Sequence, residues 1–170
     1  MPLSPTAVAA ALAPETSERE VCLLTITHPA WSEPIRLSTD ATEFLRFADD
    51  GSPMYGTKSR GMVFEFAPIA PVLPDSRDET PPTGRVGIDN VSRIVAPYLR
   101  RIDTGIARVT VEVVLASSPD IVDQIWPELE LQQSTIDASR VEVTIGMDAA
   151  SDEASPWLRF VPAHFRNLFD

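Results

Sequence analysis

The sequence holds a single cysteine, Cys22, in 170 residues. No intrachain disulfide can form, and no cysteine cluster can hold a metal. Lysine is almost as scarce: Lys58 stands alone beside thirteen arginines. G+C-rich coding or use of arginine at interfaces would each give this bias, since arginine's planar fork pairs bidentately with carboxylates. No apolar run approaches the roughly eighteen residues of a membrane span. Histidine occurs twice, as His28 and His164, each close to a proline. Cys22 lies inside a strand pattern and reads as a small core residue. With no Gly-x-Ser-x-Gly elbow, nucleophilic catalysis has no residues to work with.

The other catalytic and binding patterns fail on spacing. The acidic loops 75–79 and 148–153 lack the alternating ligands and mid-loop glycine of a calcium site. Gly84-Arg85-Val86-Gly87 lacks a third glycine and a following Lys-Ser/Thr, so it is no phosphate loop. Two acids could meet in space for glycoside hydrolysis, but no spacing selects a pair. Trp31, Trp126 and Trp157 could build a sugar platform, although core or interface use is the commoner fate of tryptophan. The expectation is a non-enzymatic protein without catalytic, cofactor-binding or metal-binding residues.

What the chain has in excess is proline and negative charge. Sixteen prolines are spread along it. Each removes a backbone donor and fixes φ, which favours many short strands over long helices. The formal charge of -11 opposes binding to DNA or to anionic lipid. That charge is uneven. Residues 85–108 hold five arginines against Asp89 and Asp103, a net of +3, whereas residues 111–170 carry a net of -8. Opposite patches on one molecule suit a head-to-tail ring of identical subunits.

Taken in order, Ser4-Pro5-Thr6 reads as a cap and first turn of a short N-terminal helix, stopped by Pro14. The alanine run within it lacks the preceding basic residues of a signal peptide. Residues 21–27 and 35–39 read as the strands of a wide-looped hairpin. Phe44 to Phe47 is a short apolar run closed by Asp49-Asp50-Gly51. Residues 51–61 read as a flexible loop, and 62–66 as a half-buried strand. The proline-rich stretch 67–83 reads as a projecting loop.

Residues 85–89 form the next strand pattern. After Asn90, the residues Val91, Ile94, Val95, Tyr98, Leu99 and Ile102 share one helical face, interrupted by Pro97. Residues 107–115 alternate best, with Val109, Val111, Val113 and Leu115 inward and Arg108, Thr110 and Glu112 outward. Pro119-Asp120 reads as a turn, 121–126 as a stretch closed by Pro127, and 129–136 and 141–147 as further strands. This predicts a mostly-β fold, an antiparallel split β-barrel or sandwich with a short N-terminal helix, one central helix, long loops and a C-terminal arm. The organisation is an N-terminal helix and link (1–20), a β-barrel domain with its projecting loop (21–147), and an arm (148–170). The arm carries Trp157, Phe160, Phe165 and Phe169, which need a surface to dock on.

Five segments in fixed order carry a family resemblance. They are Val21-Cys22-Leu23-Leu24-Thr25-Ile26-Thr27-His28-Pro29, then Glu33-Pro34-Ile35-Arg36-Leu37, then residues 81–91, then Val111-Glu112-Val113-Val114-Leu115-Ala116-Ser117-Ser118-Pro119-Asp120, and finally residues 160–169. Together they resemble a phage tail family of formerly unknown function, similar to minor tail and distal tail proteins of long-tailed phages. The resemblance covers most of the chain from about Glu18 onward. It implies a structural virion protein assembled in the host bacterial cytoplasm. Its partners would be copies of itself in a hexameric ring, the tail-tube protein, and the hub or baseplate proteins. Nucleic acid, membrane and cofactors have no part in it. Arg93, Arg100 and Arg101, off the apolar face of the central helix, are the expected subunit contacts, together with Trp157, Phe160, Phe165 and Phe169. The competing expectations are a receptor- or carbohydrate-binding module of the tail tip and a small cell-wall hydrolase.

Overall fold

The structure, a computed structural model, describes residues 3–72, 83–89, 105–137 and 140–146. A helix, α1 (Pro5–Leu12), precedes ten strands: β1 (Glu20–Thr27), β2 (Ile35–Ser38), β3 (Glu43–Phe47), β4 (Pro53–Ser59), β5 (Met62–Phe66), β6 (Ile69–Val72), β7 (Thr83–Asp89), β8 (Arg108–Leu115), β9 (Ser118–Ile136) and β10 (Arg140–Gly146). They form one sheet in the order β3-β4-β5-β2-β1-β8-β9-β10-β7-β6, curled into a half-barrel. The fold is mostly β, as the alternation and the prolines imply. All neighbours run antiparallel except β2 and β5, which pair in parallel at Leu37↔Glu65 and Ser38↔Phe66. The cause is topological: β3, β4 and β5 form a meander that joins the rest of the sheet through its last strand.

β1 lies at the centre. It pairs with β8 along its whole length, from Glu20↔Leu115 to Thr27↔Arg108, and with β2 on its other side. Its residues are buried on both faces. Cys22, Leu24 and Ile26 enter the main core with Leu37, Val109 and Val111, which Val141, Val143 and Ile145 close from the far limb of the curl. Val21 and Leu23 enter a second core with Phe64 and Val114. Each such aliphatic burial stabilises by about 1.5–3 kcal/mol. Two cores on opposite faces explain why β1 reads as a nearly continuous apolar run.

The second core corrects one sequence expectation. Glu112 does not face solvent; it is 6 % exposed, because the β4–β5 hairpin lies over that face of β8 and β9. Other corrections follow from pairing. Residues 53–59, expected within a flexible loop, are β4, held between β3 and β5. Residues 69–72, expected in the projecting loop, are β6 at the sheet edge, beside β7. The turn between β8 and β9 falls at Ala116 and Ser117, not at Pro119-Asp120, since Leu115 pairs with Ser118. Pro127 does not close a strand. β9 runs through it on a bulge that sets Pro127 and Glu128 opposite Thr110, with Glu128 at φ 51°.

α1 forms as expected. The Ser4 hydroxyl accepts from the Ala7 N–H at 3.1 Å, Pro5 starts the first turn, and Ala13 turns extended before Pro14. No residue of α1 is buried. Its anchor is the Ser4 N–H, which donates to Oδ1 of the buried Asp123 at 2.9 Å. Gly105 takes a left-handed conformation, at φ 93°. The expected central helix, residues 91–102, and the arm, residues 148–170, lie outside the described residues.

Candidate functional site

One face of the β3–β4 hairpin exposes three aromatic side chains together. Phe44 is 45 % exposed, Phe47 67 % and Tyr55 41 %. Phe44 and Phe47 are three residues apart, a spacing that puts side chains on opposite faces of a regular strand. A bulge between Phe44 and Arg46 removes that conflict: Phe44 pairs with Tyr55 and Phe47 with Pro53, so all four share a face. The rings meet edge to face, Phe44 and Phe47 at 5.1 Å between centroids and Phe44 and Tyr55 at 6.1 Å.

The opposite face of the hairpin is charged. Lys58 bridges Glu43 at 2.7 Å, and Arg46 bridges Glu65 at 2.8 Å. The hydrogen bond from Lys58 holds the Glu43 carboxyl below its ordinary pKa. Leu45, in the bulge, turns to the same side and sits over Gly56. A Cβ at Gly56 would lie 2.0 Å from the Phe64 carbonyl oxygen and 2.8 Å from Leu45 Cδ1, so only glycine permits the bulge to pack there. The tip is acidic. Ser52 donates from both its N–H and its hydroxyl to Asp50 Oδ1, at 2.9 and 2.6 Å, which lowers the Asp50 pKa; Asp49 stands beside it.

A clasp fixes the other end of this unit. Arg60 and Gly61, at φ 50° and 76°, form the two-residue β4–β5 turn, both left-handed as a type I′ hairpin requires. A left-handed arginine costs about 1–2 kcal/mol, and its contacts offset that cost. Arg60 Nη1 and Nη2 donate to Glu112 Oε1 and Oε2 at 2.8 and 2.6 Å. Its N–H donates to Asp120, and the Ser59 hydroxyl donates to the Pro119 carbonyl at 2.7 Å. Bonding to Glu112 raises the Arg60 pKa. Sequence reasoning missed this pair because 52 residues separate its members.

Cys22 is buried, and burial pushes its thiol up to about 11, in keeping with a core residue. His28 accepts the Ala30 N–H at Nδ1, and its ring stands 5.4 Å from that of Trp31. Trp31 and Trp126 pack, half-buried, against the main core and do not form a shared platform. A shallow groove of about 380 Å³ lies beside the hairpin's charged face, between Arg36, Arg46, Lys58 and Glu65. Among the described residues no three His, Cys, Asp or Glu side chains are placed to hold a metal, and no helix is long and apolar enough to cross a membrane.

All seven interface residues expected from the sequence, Arg93, Arg100, Arg101, Trp157, Phe160, Phe165 and Phe169, lie outside the described residues. The aromatic hairpin was not anticipated. Its signal was present in Phe44-x-x-Phe47, the Asp-Asp-Gly turn and Tyr55, but it needed the bulge to be read.

A family model described as a domain of unknown function, DUF1833, matches residues 6–160. The chain belongs to the DUF1833 family. The match begins within α1 and runs past β10, so it spans all ten strands of this chain. No curated protein matches the chain.

Proposed function

We propose that the chain is a structural component of a phage tail. It would form a ring at the distal end of the tail and join the tail tube to the tip or baseplate hub. The resemblance of five ordered segments suggests the class. The observation that carries the assembly reading is the open sheet. Among the described residues the ten-stranded half-barrel ends at β3 and β6, each paired with a strand on one side only. Free edges invite pairing and are a liability in a lone subunit. A head-to-tail ring sets the β3 side of one copy against the β6 side of the next and covers both.

The uneven charge supports the same arrangement. Arg93, Arg100 and Arg101 belong to the one positive region of an acidic chain and would meet an acidic neighbour. Reversing Arg100 and Arg101 to glutamate tests this. The expected result is loss of rings in negative-stain images with an unchanged circular dichroism spectrum. Rings of normal size after the reversal would count against the assignment.

A further inference from the structure

Val113 and Leu115 are 6 % and 4 % exposed, yet they belong to neither core. Both line a cavity of about 260 Å³ whose other wall includes Ala7, Ala10 and Ala11 of α1. The helix therefore faces this end of β8 and β9 without filling the space between.

Little holds that cover down. Eight residues are fewer than a helix needs to be stable alone in water. No residue of α1 is buried, and its largest side chain, Leu12, is 80 % exposed. Its first turn has no acid and its last turn no base, so no charge complements the helix dipole. Among the described residues one hydrogen bond ties this segment to the sheet, from the Ser4 N–H to Asp123 Oδ1 at 2.9 Å.

That bond is a weak latch. Asp123 is 4 % exposed and, among the described residues, has no other hydrogen-bond donor and no cation beside it. Water satisfies a carboxylate better than one neutral N–H does. Glu18 and Glu20 line the same cavity and add like charge. Lifting the helix lets water reach Asp123, which offsets part of the lost contact. A hinge is also present. Residues 13–17 are exposed and lie in no helix or strand. The sheet takes hold of the chain at Arg19, whose carbonyl accepts the Ala116 N–H at 2.9 Å and whose side chain bridges Asp40 at 3.5 Å.

We infer that α1 is a lid latched at Asp123. It lifts about residues 13–17 while the ten strands stay folded, and it uncovers Val113, Leu115 and Asp123. No strand pair breaks, because α1 pairs with none. The chain then has a covered and an open form of this end of the sheet. Neither form depends on the ring reading.

The test uses the full chain. Hydrogen exchange read by mass spectrometry should show residues 5–13 exchanging at least a hundredfold faster than β1 and β8. In the Leu115→Cys variant, a thiol reagent should label the introduced thiol in native buffer, at a rate that low urea barely changes. Cys22, in the main core, should react only as the whole sheet unfolds. Ser4 has φ -63°, which proline shares, so Ser4→Pro deletes the N–H without strain, whereas Ser4→Ala removes only the hydroxyl cap. Labelling at position 115 should be at least fivefold faster with Ser4→Pro than with Ser4→Ala. Equal rates overturn the latch. Labelling of both thiols together, with one urea dependence, overturns the lid. So does fast exchange in α1 with the introduced thiol still unreactive, since the helix then frays without uncovering the sheet.

Discussion

Arg60→Ala should destabilise the protein by more than Glu112→Gln does, although the two remove the same ion pair. The Glu112 side chain is 8 % exposed and that of Arg60 33 %. Removing Arg60 strands a buried carboxylate opposite Leu23, a residue of the second core. Breaking a fully buried pair this way costs about 3–5 kcal/mol. Water reaches a third of Arg60, so some attraction is already screened, and relief of its left-handed backbone is small because alanine suffers there too. The expected cost is therefore about 2–4 kcal/mol. Glu112→Gln leaves the guanidinium able to turn toward solvent and keeps one hydrogen-bond acceptor. Its expected cost is about 1–2 kcal/mol. For a domain of this size, each kcal/mol lowers Tm by about 2–4 °C. Urea unfolding and thermal melts of both variants read the difference directly. Equal losses, or a loss under about 1 kcal/mol for Arg60→Ala, would refute the view that the clasp holds the β4–β5 hairpin over β8 and β9.

Three further outcomes follow from the geometry. Gly56→Ala should cost about 3 kcal/mol or more, since the added carbon meets the Phe64 backbone; Gly51→Ala, at φ 81° with nothing nearby, should cost only about 1 kcal/mol in the same melts. Cys22 is raised from 9.0 to about 11, so the folded state keeps its thiol proton where the unfolded chain loses it. Its contribution is complete below pH 9 and is lost as pH rises toward 11, about 2–3 kcal/mol in all, and Cys22→Ala should flatten that alkaline decline. Lys58→Met should change stability by about 0.5 kcal/mol or less, because its bridge to Glu43 is exposed at both ends.

Strands that bury apolar side chains were legible in the sequence: β1, β2, β5, β7, β8 and β10 all stand near the positions that alternation suggests. β4 was not, because its inward positions are Thr57 and Ser59. They are satisfied by hydrogen bonds, Ser38 Oγ to Thr57 Oγ1 at 2.7 Å and Ser59 Oγ to the Pro119 carbonyl at 2.7 Å, and leave no hydropathy signal. β6 was hidden by its proline, and the unity of β9 by Pro127, which a bulge accommodates. Glu112 looked solvent-facing because its partner is distant in sequence. The aromatic hairpin was illegible for a related reason. Phe44 and Phe47 share a face only through a bulge, and a bulge is a property of the pair of strands rather than of either alone.

The mass of the full chain in solution tests the central claim most directly. Native mass spectrometry, with light scattering across a dilution series, should find one closed species of six 18.6 kDa chains. A monomer at every concentration would contradict the account.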